Sequence, residues 1–380
     1  MRNFIRLHDS RAVRPALLAV SAAAAIAAIG GTAGTAAGHG TASAHYAHKA
    51  SHLRQAAAFN EPQLAHRELA IEGTNAGDRL ALRLQSGNPA VLQVDVGDDG
   101  SADFSFARAE IARISVDAGN GADAVRIDER NGVFTDTIAT TIDGGNGDDN
   151  LVGGAGAGTL RGGNGKDSLA GGSGAETLEG GNGNDSIDGN GGNDVGRLGN
   201  GDDTFVWDPG DGSDIVEGQN GIDTMLFNGA NGAEQVDLSA NGERLRFFRI
   251  QGTITMDTDG IETVDFNAIG GADLVTVNDL GGTDVSNVNV DLAGVVGGAT
   301  GDGAGDRVVL NPTNGNHTIR VNGDAGAVKV SGLSATVSVL HPELANDRLE
   351  INTLGGGNNV DADGLAAGAI QLLVNGVSLP

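Results

Sequence analysis

The feature that most restricts how this chain can fold is a run of nine-residue blocks from Gly144 to Val206. The blocks follow without a gap as GGNGDDNLV, GGAGAGTLR, GGNGKDSLA, GGSGAETLE and GGNGNDSID, and then less regularly as GNGGNDVGR and LGNGDDTFV. The eighth position is occupied in turn by Leu151, Leu160, Leu169, Leu178, Ile187, Gly196 and Phe205. A solvated linker has no reason to keep apolar residues at a fixed spacing, so the run predicts a stacked, repetitive structure with a buried row of side chains.

Glycine recurs at fixed positions of the block, and it supplies 64 of the 380 residues in the chain. Glycine accepts a positive φ and a close backbone approach, so we expect six residues of each block to form a turn and three to form a short strand. The apolar eighth residue would then point inward between two thin sheets. We expect Asn146, Asn164 and Asn182, at the third position, to suit left-handed backbone as well.

This pattern resembles the RTX (repeats-in-toxin) family, whose G-G-x-G-x-D-x-U-x nonapeptide is a calcium-binding β-roll repeat. The resemblance is specific over residues 144–206 and looser over residues 209–226, where PGDGSDIVE and GQNGIDTML restart the count two residues late. It implies an all-β fold, a parallel β-roll or β-helix solenoid in which two nonapeptides make one turn. Turns two blocks apart in the sequence then stack on the same edge, with calcium between them.

The resemblance also implies the calcium ligands. Carbonyl groups of the glycine turn and the Asp at position six would supply the six to eight oxygens that Ca²⁺ prefers. The candidate residues are Gly145, Gly147, Asp149, Gly163, Gly165, Asp167, Gly181, Gly183, Asp185, Asp194, Asp203, Asp214 and Asp223.

The two edges of the expected roll differ in their carboxylates. One edge carries Asp149, Asp167, Asp185 and Asp203, whereas the other carries Gly158, Glu176 and Asp194. We therefore predict about three calcium ions on the first edge, one in each gap between adjacent turns, and a weak or empty second edge.

A second pattern, Asp followed by apolar residues two and four positions later, recurs outside the nonapeptides. It begins at Asp78, Asp123, Asp273, Asp306 and Asp347. Its alternation has the period of a strand, so we expect residues 71–143 and 227–380 to be β-rich regions of irregular solenoid turns that flank the roll at residues 144–226. Segments 117–123 and 209–214 are weaker calcium-loop candidates, because neither is in phase with the main run. Phe205, Trp207 and Phe227 are expected to form core where the repeats end.

The N-terminus is typical of an export signal. Arg2, Arg6, Arg11 and Arg14 precede an apolar run at residues 16–29, and residues 42–44 give an A-x-A cleavage pattern. We predict a signal peptide at residues 1–44, a partly helical linker at residues 45–70 and no transmembrane segment in the mature chain. Many RTX proteins lack such a signal and use a dedicated exporter, so the signal favours a general secretion route.

Charge and cysteine content limit the partners of this chain. The formal charge is −27 and the pI is about 4.4, which makes nucleic acid an unfavourable partner and makes cations natural ones. The chain has no cysteine, which excludes disulfides, zinc–thiolate sites and cysteine catalysis. We predict an extracellular or cell-surface protein with a structural or adhesive role and a partner on a cell surface or in a matrix.

We find no catalytic signature and predict that the protein is not an enzyme. The H-E-x-x-H, G-x-S-x-G and P-loop motifs are all absent from the sequence. Two alternatives stay open at this point: a calcium-folded β-helix enzyme that acts on extracellular polysaccharide, and a structural solenoid that needs no metal.

Overall fold

The protein is an all-β solenoid of two facing sheets, seen in a computed structural model that describes residues 59–355 and 357–379. Sheet A contains, in spatial order, β1 (Gln63–Ala65), β2 (Glu68–Glu72), β6 (Arg113–Asp117), β8 (Ala139–Asn146), β10 (Gly158–Asn164), β12 (Thr177–Asn182), β14 (Val195–Asn200), β16 (Ile215–Asn220), β20 (Ile254–Asp259), β19 (Arg244–Arg249), β18 (Gln235–Asn241), β22 (Leu274–Val277), β24 (Arg307–Leu310), β28 (Arg348–Ile351), β30 (Gln371–Val374) and β31 (Val377–Ser378). Sheet B contains β29 (Asn359–Leu365), β25 (Thr318–Asp324), β26 (Ala327–Ser331), β27 (Thr336–Leu340), β23 (Asn287–Asp291), β21 (Thr263–Asn267), β17 (Thr224–Asn228), β15 (Thr204–Trp207), β13 (Ser186–Asp188), β11 (Ser168–Ala170), β9 (Asn150–Val152), β7 (Ala124–Asp128), β3 (Arg79–Gln85), β4 (Asn88–Val96) and β5 (Phe104–Ala107). The parallel β-roll predicted from the repeats is confirmed.

The nonapeptide register produces the alternation between the two sheets. Successive blocks place their strands in opposite sheets, so that Leu160 pairs with Leu178 in sheet A and Leu169 pairs with Ile187 in sheet B. The eighth-position apolar residues are at most 1% exposed. They form one continuous core between the sheets, and burial of their side chains is the main stabilising contribution.

Gly196 is the one eighth-position residue that is not apolar, and the structure explains it. A Cβ atom at Gly196 would lie 2.8 Å from Cε2 of Phe205. The larger Phe205 side chain of sheet B therefore fills the space that a leucine of sheet A fills in the earlier turns.

The flanking regions continue the same two sheets with longer turns. Stacked positions are 18 residues apart within the repeats, and 45 or 39 residues apart in some flanking turns. The extra residues form antiparallel hairpins at the sheet, namely β3–β4–β5, β18–β19–β20 and β25–β26–β27. The sheets therefore run through the predicted region boundaries at residues 143 and 226 without a break.

Aromatic side chains fill the core just after the repeats. Trp207 stacks on Phe227 at 4.4 Å between ring centroids, and Phe247 and Phe266 extend the cluster. All four are at most 1% exposed, and Nε1 of Trp207 donates a hydrogen bond to the carbonyl of Gly212 at 3.0 Å. Trp207 and Phe227 therefore belong to the core, as predicted.

The end of the expected helical linker is extended rather than helical. Within residues 59–70, strand β1 pairs with β2, and Leu69 of β2 is fully buried beside Ile114 of β6. The alternation of Leu69 and Ile71 has the period of a strand, which explains the difference. Residues 45–58 and the predicted signal peptide lie outside the described residues.

Helical structure is scarce in the part of the chain that the structure describes. One 3₁₀ turn, η1 (Arg108–Glu110), connects β5 and β6. Among the described residues, no helix has the length and apolar character needed to cross a bilayer.

Candidate metal centre

A column of buried carboxylates lines the first turn edge, which we define as the edge where the chain passes from sheet A to sheet B. Its members are Asp78, Asp123, Asp149, Asp167, Asp185, Asp203, Asp223 and Glu262. The backbone N–H of each member except Glu262, the last, donates to a carboxylate oxygen of the member in the next turn, at 2.6–2.9 Å. Each of these hydrogen bonds holds one oxygen of the accepting carboxylate in place.

The second oxygen has no partner in six of these eight carboxylates. The Oδ2 atoms of Asp123, Asp149, Asp167, Asp185, Asp203 and Asp223 are buried and lack a hydrogen bond. A buried carboxylate oxygen without a donor is unfavourable, and here the situation repeats at every turn. A row of such atoms indicates a place for cations.

Glycine at the first block position makes room for these oxygens. A Cβ atom at Gly180 would lie 2.6 Å from Oδ2 of Asp185 and against the carbonyl oxygen of Leu198 in the next turn. A Cβ atom at Gly144 would likewise lie against Oδ2 of Asp149 and 2.7 Å from the carbonyl oxygen of Gly162. Carboxylate and carbonyl oxygens from adjacent turns therefore come close together where any larger residue would clash.

On the first edge, the glycines at positions two and four adopt the left-handed backbone that the repeat predicts, whereas Gly154, Gly156, Gly172 and Gly174 on the second edge do not. The φ angles of Gly145, Gly147, Gly163, Gly165, Gly181 and Gly183 lie between 96° and 135°. A Cβ atom at Gly163 would also strike the carbonyl oxygen of Gly145 one turn earlier. These glycines are therefore required both by backbone conformation and by the close stacking of turns.

The asparagines at position three have a different role from the one that the sequence suggested. Asn146, Asn164 and Asn182 do not take a positive φ. Their side chains instead form an exposed ladder, in which each Nδ2 donates to the Oδ1 of the preceding rung. The ladder consists of Asn75, Asn120, Asn146, Asn164, Asn182, Asn200 and Asn220, with bonds of 2.5–2.9 Å. An in-register parallel stack places identical amides one above another, which satisfies both ends of each amide.

The second turn edge, where the chain passes from sheet B to sheet A, has the same arrangement over fewer turns. Glu176 donates its N–H to Oδ1 of Asp194 at 2.7 Å, and Asp194 donates to Oδ1 of Asp214 at 2.8 Å. Each of the three carboxylates has one buried oxygen without a partner. Gly158 leaves the turn before them without a carboxylate. The contrast between the two edges is therefore smaller than the sequence suggested.

Two segments that seemed out of phase in the sequence are in phase in the structure. Asp123 lies in the column of the first edge, 26 residues before Asp149, and Asp214 lies in the column of the second edge, 20 residues after Asp194. The additional residues lie in the turns between strands, so the strand register is kept. Asp223 likewise follows Asp203 in the first column.

Sequence reasoning missed Asp78 and Glu262 as members of the first column. The signal for Asp78 was present, because Asp78 precedes apolar Leu80 by two positions, as position six precedes position eight in the nonapeptide. Glu262 precedes Val264 by the same offset, but it is a glutamate in a turn without the glycine pattern.

Burial and like charges make these carboxylates weak acids when no cation is present. Burial raises the pKa of Asp149 to about 7, and the carboxylates of Asp123 and Asp167 add to the rise. Burial likewise raises the pKa of Asp185 to about 6 and that of Asp223 to about 7. On the second edge, burial raises the pKa of Asp214 to about 7. The folded chain therefore resists full ionisation of either column.

The donor set fits a hard divalent cation. Within the described residues, no three His, Asp or Glu side chains converge on one point, so carbonyl oxygens must complete any ligand shell. Carboxylate and carbonyl oxygens without nitrogen or sulfur are the ligands that Ca²⁺ prefers. Together, the fold and this arrangement define a cation-binding parallel β-roll.

Comparison with known protein families agrees with this class. Residues 143–175 and 170–205 match the RTX calcium-binding nonapeptide repeat, with four copies. This segment of the chain therefore consists of RTX repeats, and these repeats bind Ca²⁺. No curated protein matched the chain.

Proposed function

We propose that this protein is an exported calcium-binding scaffold whose solenoid is completed by calcium outside the cell. The observation that carries the proposal is the repeated buried carboxylate oxygen without a partner on both turn edges. Asp149, Asp167, Asp185, Asp203 and Asp223 would hold calcium on the first edge, and Asp194 and Asp214 on the second.

The chain prepares these sites through its backbone. The Oδ1 atom of each Asp is held by an N–H of the adjacent turn, so that Oδ2 stays directed into the stack. The glycine turns supply carbonyl oxygens close to Oδ2. Bound calcium would neutralise the carboxylates and bridge adjacent turns.

Calcium would therefore be coupled to folding. Without it, seven or more acidic groups stack along one edge of a chain with a formal charge of −27, and their mutual repulsion opposes compaction. Extracellular calcium modules bind at roughly 10⁻⁴ to 10⁻³ M, which matches calcium outside cells rather than inside them. The scaffold would thus stay loose before export and become ordered after it.

Two features support an extracellular, structural role. The N-terminal sequence is typical of a signal peptide, and the second half of the solenoid has no nonapeptides but keeps the two-sheet architecture. We propose that the long sheets present a surface to a cell-surface or matrix partner, and that the protein is a binding and structural component rather than an enzyme.

The test is far-UV circular dichroism of the purified chain after metal removal, titrated with Ca²⁺ and, as a control, with Mg²⁺. We expect a cooperative gain of β-sheet signal with Ca²⁺ alone, because Mg²⁺ demands a small octahedral shell and gives up water reluctantly. An unchanged β-sheet spectrum in the metal-free protein would overturn metal-coupled folding and favour a solenoid that stands without metal.

A further inference from the structure

A separate carboxylate column occurs on the second edge, well beyond the RTX repeats. Its members are Glu234, Asp273, Asp306 and Asp347, which precede strands β18, β22, β24 and β28. Glu234 donates its N–H to Oδ1 of Asp273 at 2.6 Å, Asp273 donates to Asp306 at 2.8 Å, and Asp306 donates to Asp347 at 3.1 Å. None of these residues lies in the segment that matches the RTX repeat.

The first member of this column already has a cation from the chain itself. Arg249 of β19 forms two hydrogen bonds to the carboxylate of Glu234, at 2.7 and 2.9 Å. The side chain of Glu234 is 2% exposed, so this pair is buried. The hairpin that carries Arg249 lies between the two columns of the second edge in sheet A. The C-terminal column is therefore separate from the column in the repeats.

The next member, Asp273, lacks such a partner. Asp273 is 2% exposed, its Oδ1 accepts the N–H of Glu234, and its Oδ2 is buried without a hydrogen bond. Among the described residues, no Lys, Arg or His forms an ion pair with Asp273, Asp302 or Asp306. The unpartnered oxygen at Asp273 thus repeats the feature that marks Asp167 in the repeats.

A neighbouring loop brings a further carboxylate to the same place. Asp302 accepts the N–H of Gly271 through Oδ2 and the N–H of Ala304 through Oδ1, both at 2.7 Å. It therefore joins the turn at residues 268–273 to the turn at residues 301–306. Asp302 and Asp306, which accept the N–H groups of Gly271 and Asp273, therefore bring two further negative charges to the turn that holds the unpartnered oxygen of Asp273.

The turn at residues 268–273 also differs from a nonapeptide in its sequence. Ala268 stands five residues before Asp273, where the repeats have glycine, and it is 2% exposed. The carboxylate of Asp302, supplied from the next turn, has no counterpart in the repeats.

We propose that the turns at residues 268–273 and 301–306 form a further calcium site, with Oδ2 of Asp273 as its carboxylate ligand and with Asp302 and Asp306 as nearby negative charges that favour a cation. Backbone carbonyl oxygens complete the shell, because no three acidic side chains of the described residues converge. An all-oxygen set takes a hard divalent cation, and the flexible turn geometry suits Ca²⁺ rather than Mg²⁺. The site is independent of the repeats and can fail while they still bind.

Native mass spectrometry of the full chain in calcium tests this by counting bound ions. We expect Asp273→Asn to carry one Ca²⁺ fewer than the wild type, because the amide removes the negative charge while keeping the size. Asp363→Asn is the matched control, since Asp363 is exposed and lies outside the column; it should keep the wild-type count. An unchanged count in Asp273→Asn overturns the proposal.

Crystals of the wild-type protein grown with calcium give a second readout that needs no variant. We expect an anomalous peak beside Oδ2 of Asp273 as well as peaks along the repeats. Peaks at Asp167 and Asp185 without one at Asp273 would overturn this inference alone. Absence of peaks at every carboxylate column would instead overturn the proposed calcium function.

Discussion

At the scale of single residues, the calcium proposal depends on one oxygen of each column aspartate. Asp167 and Asp185 each use Oδ1 to hold the neighbouring turn and leave Oδ2 without a partner. One oxygen of each carboxylate therefore links adjacent turns, and the other would bind calcium.

Removal of such a carboxylate should weaken calcium-coupled folding. We expect Asp167→Ala and Asp185→Ala to raise the calcium concentration at the midpoint of folding about tenfold each, which corresponds to roughly 1.4 kcal/mol. The measurement is the circular dichroism titration. Asp148→Ala is the control, because this variant removes the same charge from the adjacent turn of the first edge, where the side chain of Asp148 is exposed. Equal shifts in all three variants would show that overall charge, rather than ligation, sets the midpoint.

Glycine at position two should be required for more than its backbone angle. Gly163 has a φ of 111°, and a Cβ atom there would strike the carbonyl of Gly145. Gly210 has a φ of 129° but open space around it. We expect Gly210→Ala to lower the free energy of unfolding by about 1–2 kcal/mol and Gly163→Ala to lower it by clearly more. Urea unfolding in calcium measures both, and equal losses would argue against tight stacking of turns.

At the scale of elements, strand β19 is where the chain supplies its own positive charge. Arg244 pairs with Asp257 and Glu217, and Arg249 pairs with Glu234. This antiparallel strand lies between the repeats and the C-terminal turns in sheet A. Guanidinium groups of β19 therefore neutralise carboxylates where an antiparallel strand separates the repeats from the C-terminal turns of sheet A.

Loss of the buried pair should be far more costly than loss of an exposed one. We expect Arg249→Met to lower the free energy of unfolding by about 3–5 kcal/mol, because it leaves the carboxylate of Glu234 buried and unpaired. Arg307 pairs with Glu350 at 2.8 Å but is 46% exposed, so Arg307→Met should cost at most about 1 kcal/mol. Chemical denaturation of both variants in calcium gives the comparison. Similar losses would mean that Arg249 contributes only as surface charge.

At the scale of the whole molecule, the carboxylate columns make stability depend on pH in opposite ways with and without calcium. The raised pKa values, about 7 for Asp149 and Asp214, mean that the metal-free folded state holds protons that the unfolded state releases near pH 4. Because the folded state binds more protons than the unfolded state, the free energy of unfolding falls as pH rises through this range.

We therefore expect the metal-free protein to lose stability between about pH 4 and pH 7, measured as a fall in the urea midpoint. In saturating calcium the midpoint should instead hold or rise over the same range, because calcium requires the ionised carboxylates and competes with protons. A metal-free midpoint that is constant with pH would contradict the burial of these groups.

Local sequence determined the repeat itself and what it implies. Glycine at positions one, two and four, Asp at position six and an apolar residue at position eight are each read within nine residues. They predicted the turns and the buried row of side chains, and their resemblance to the RTX repeat implied the β-roll and its calcium. Position eight, as at Leu169, is buried simply because alternate residues of a short strand face opposite sides. These features are read within single repeats and need no knowledge of the flanking regions.

Tertiary structure alone decided which turns stack outside the repeats. Asp123, Asp214 and Asp273 join carboxylate columns only because hairpins or bulges absorb turns of unequal length, and the partner of each lies 20 to 39 residues away. The role of the asparagine ladder was hidden for the same reason, since an amide such as Asn164 finds its partner in another turn. Periodicity within a segment determines which side chains face the core. Contact between distant segments depends on how the intervening residues pack, and this packing exists only in the folded chain.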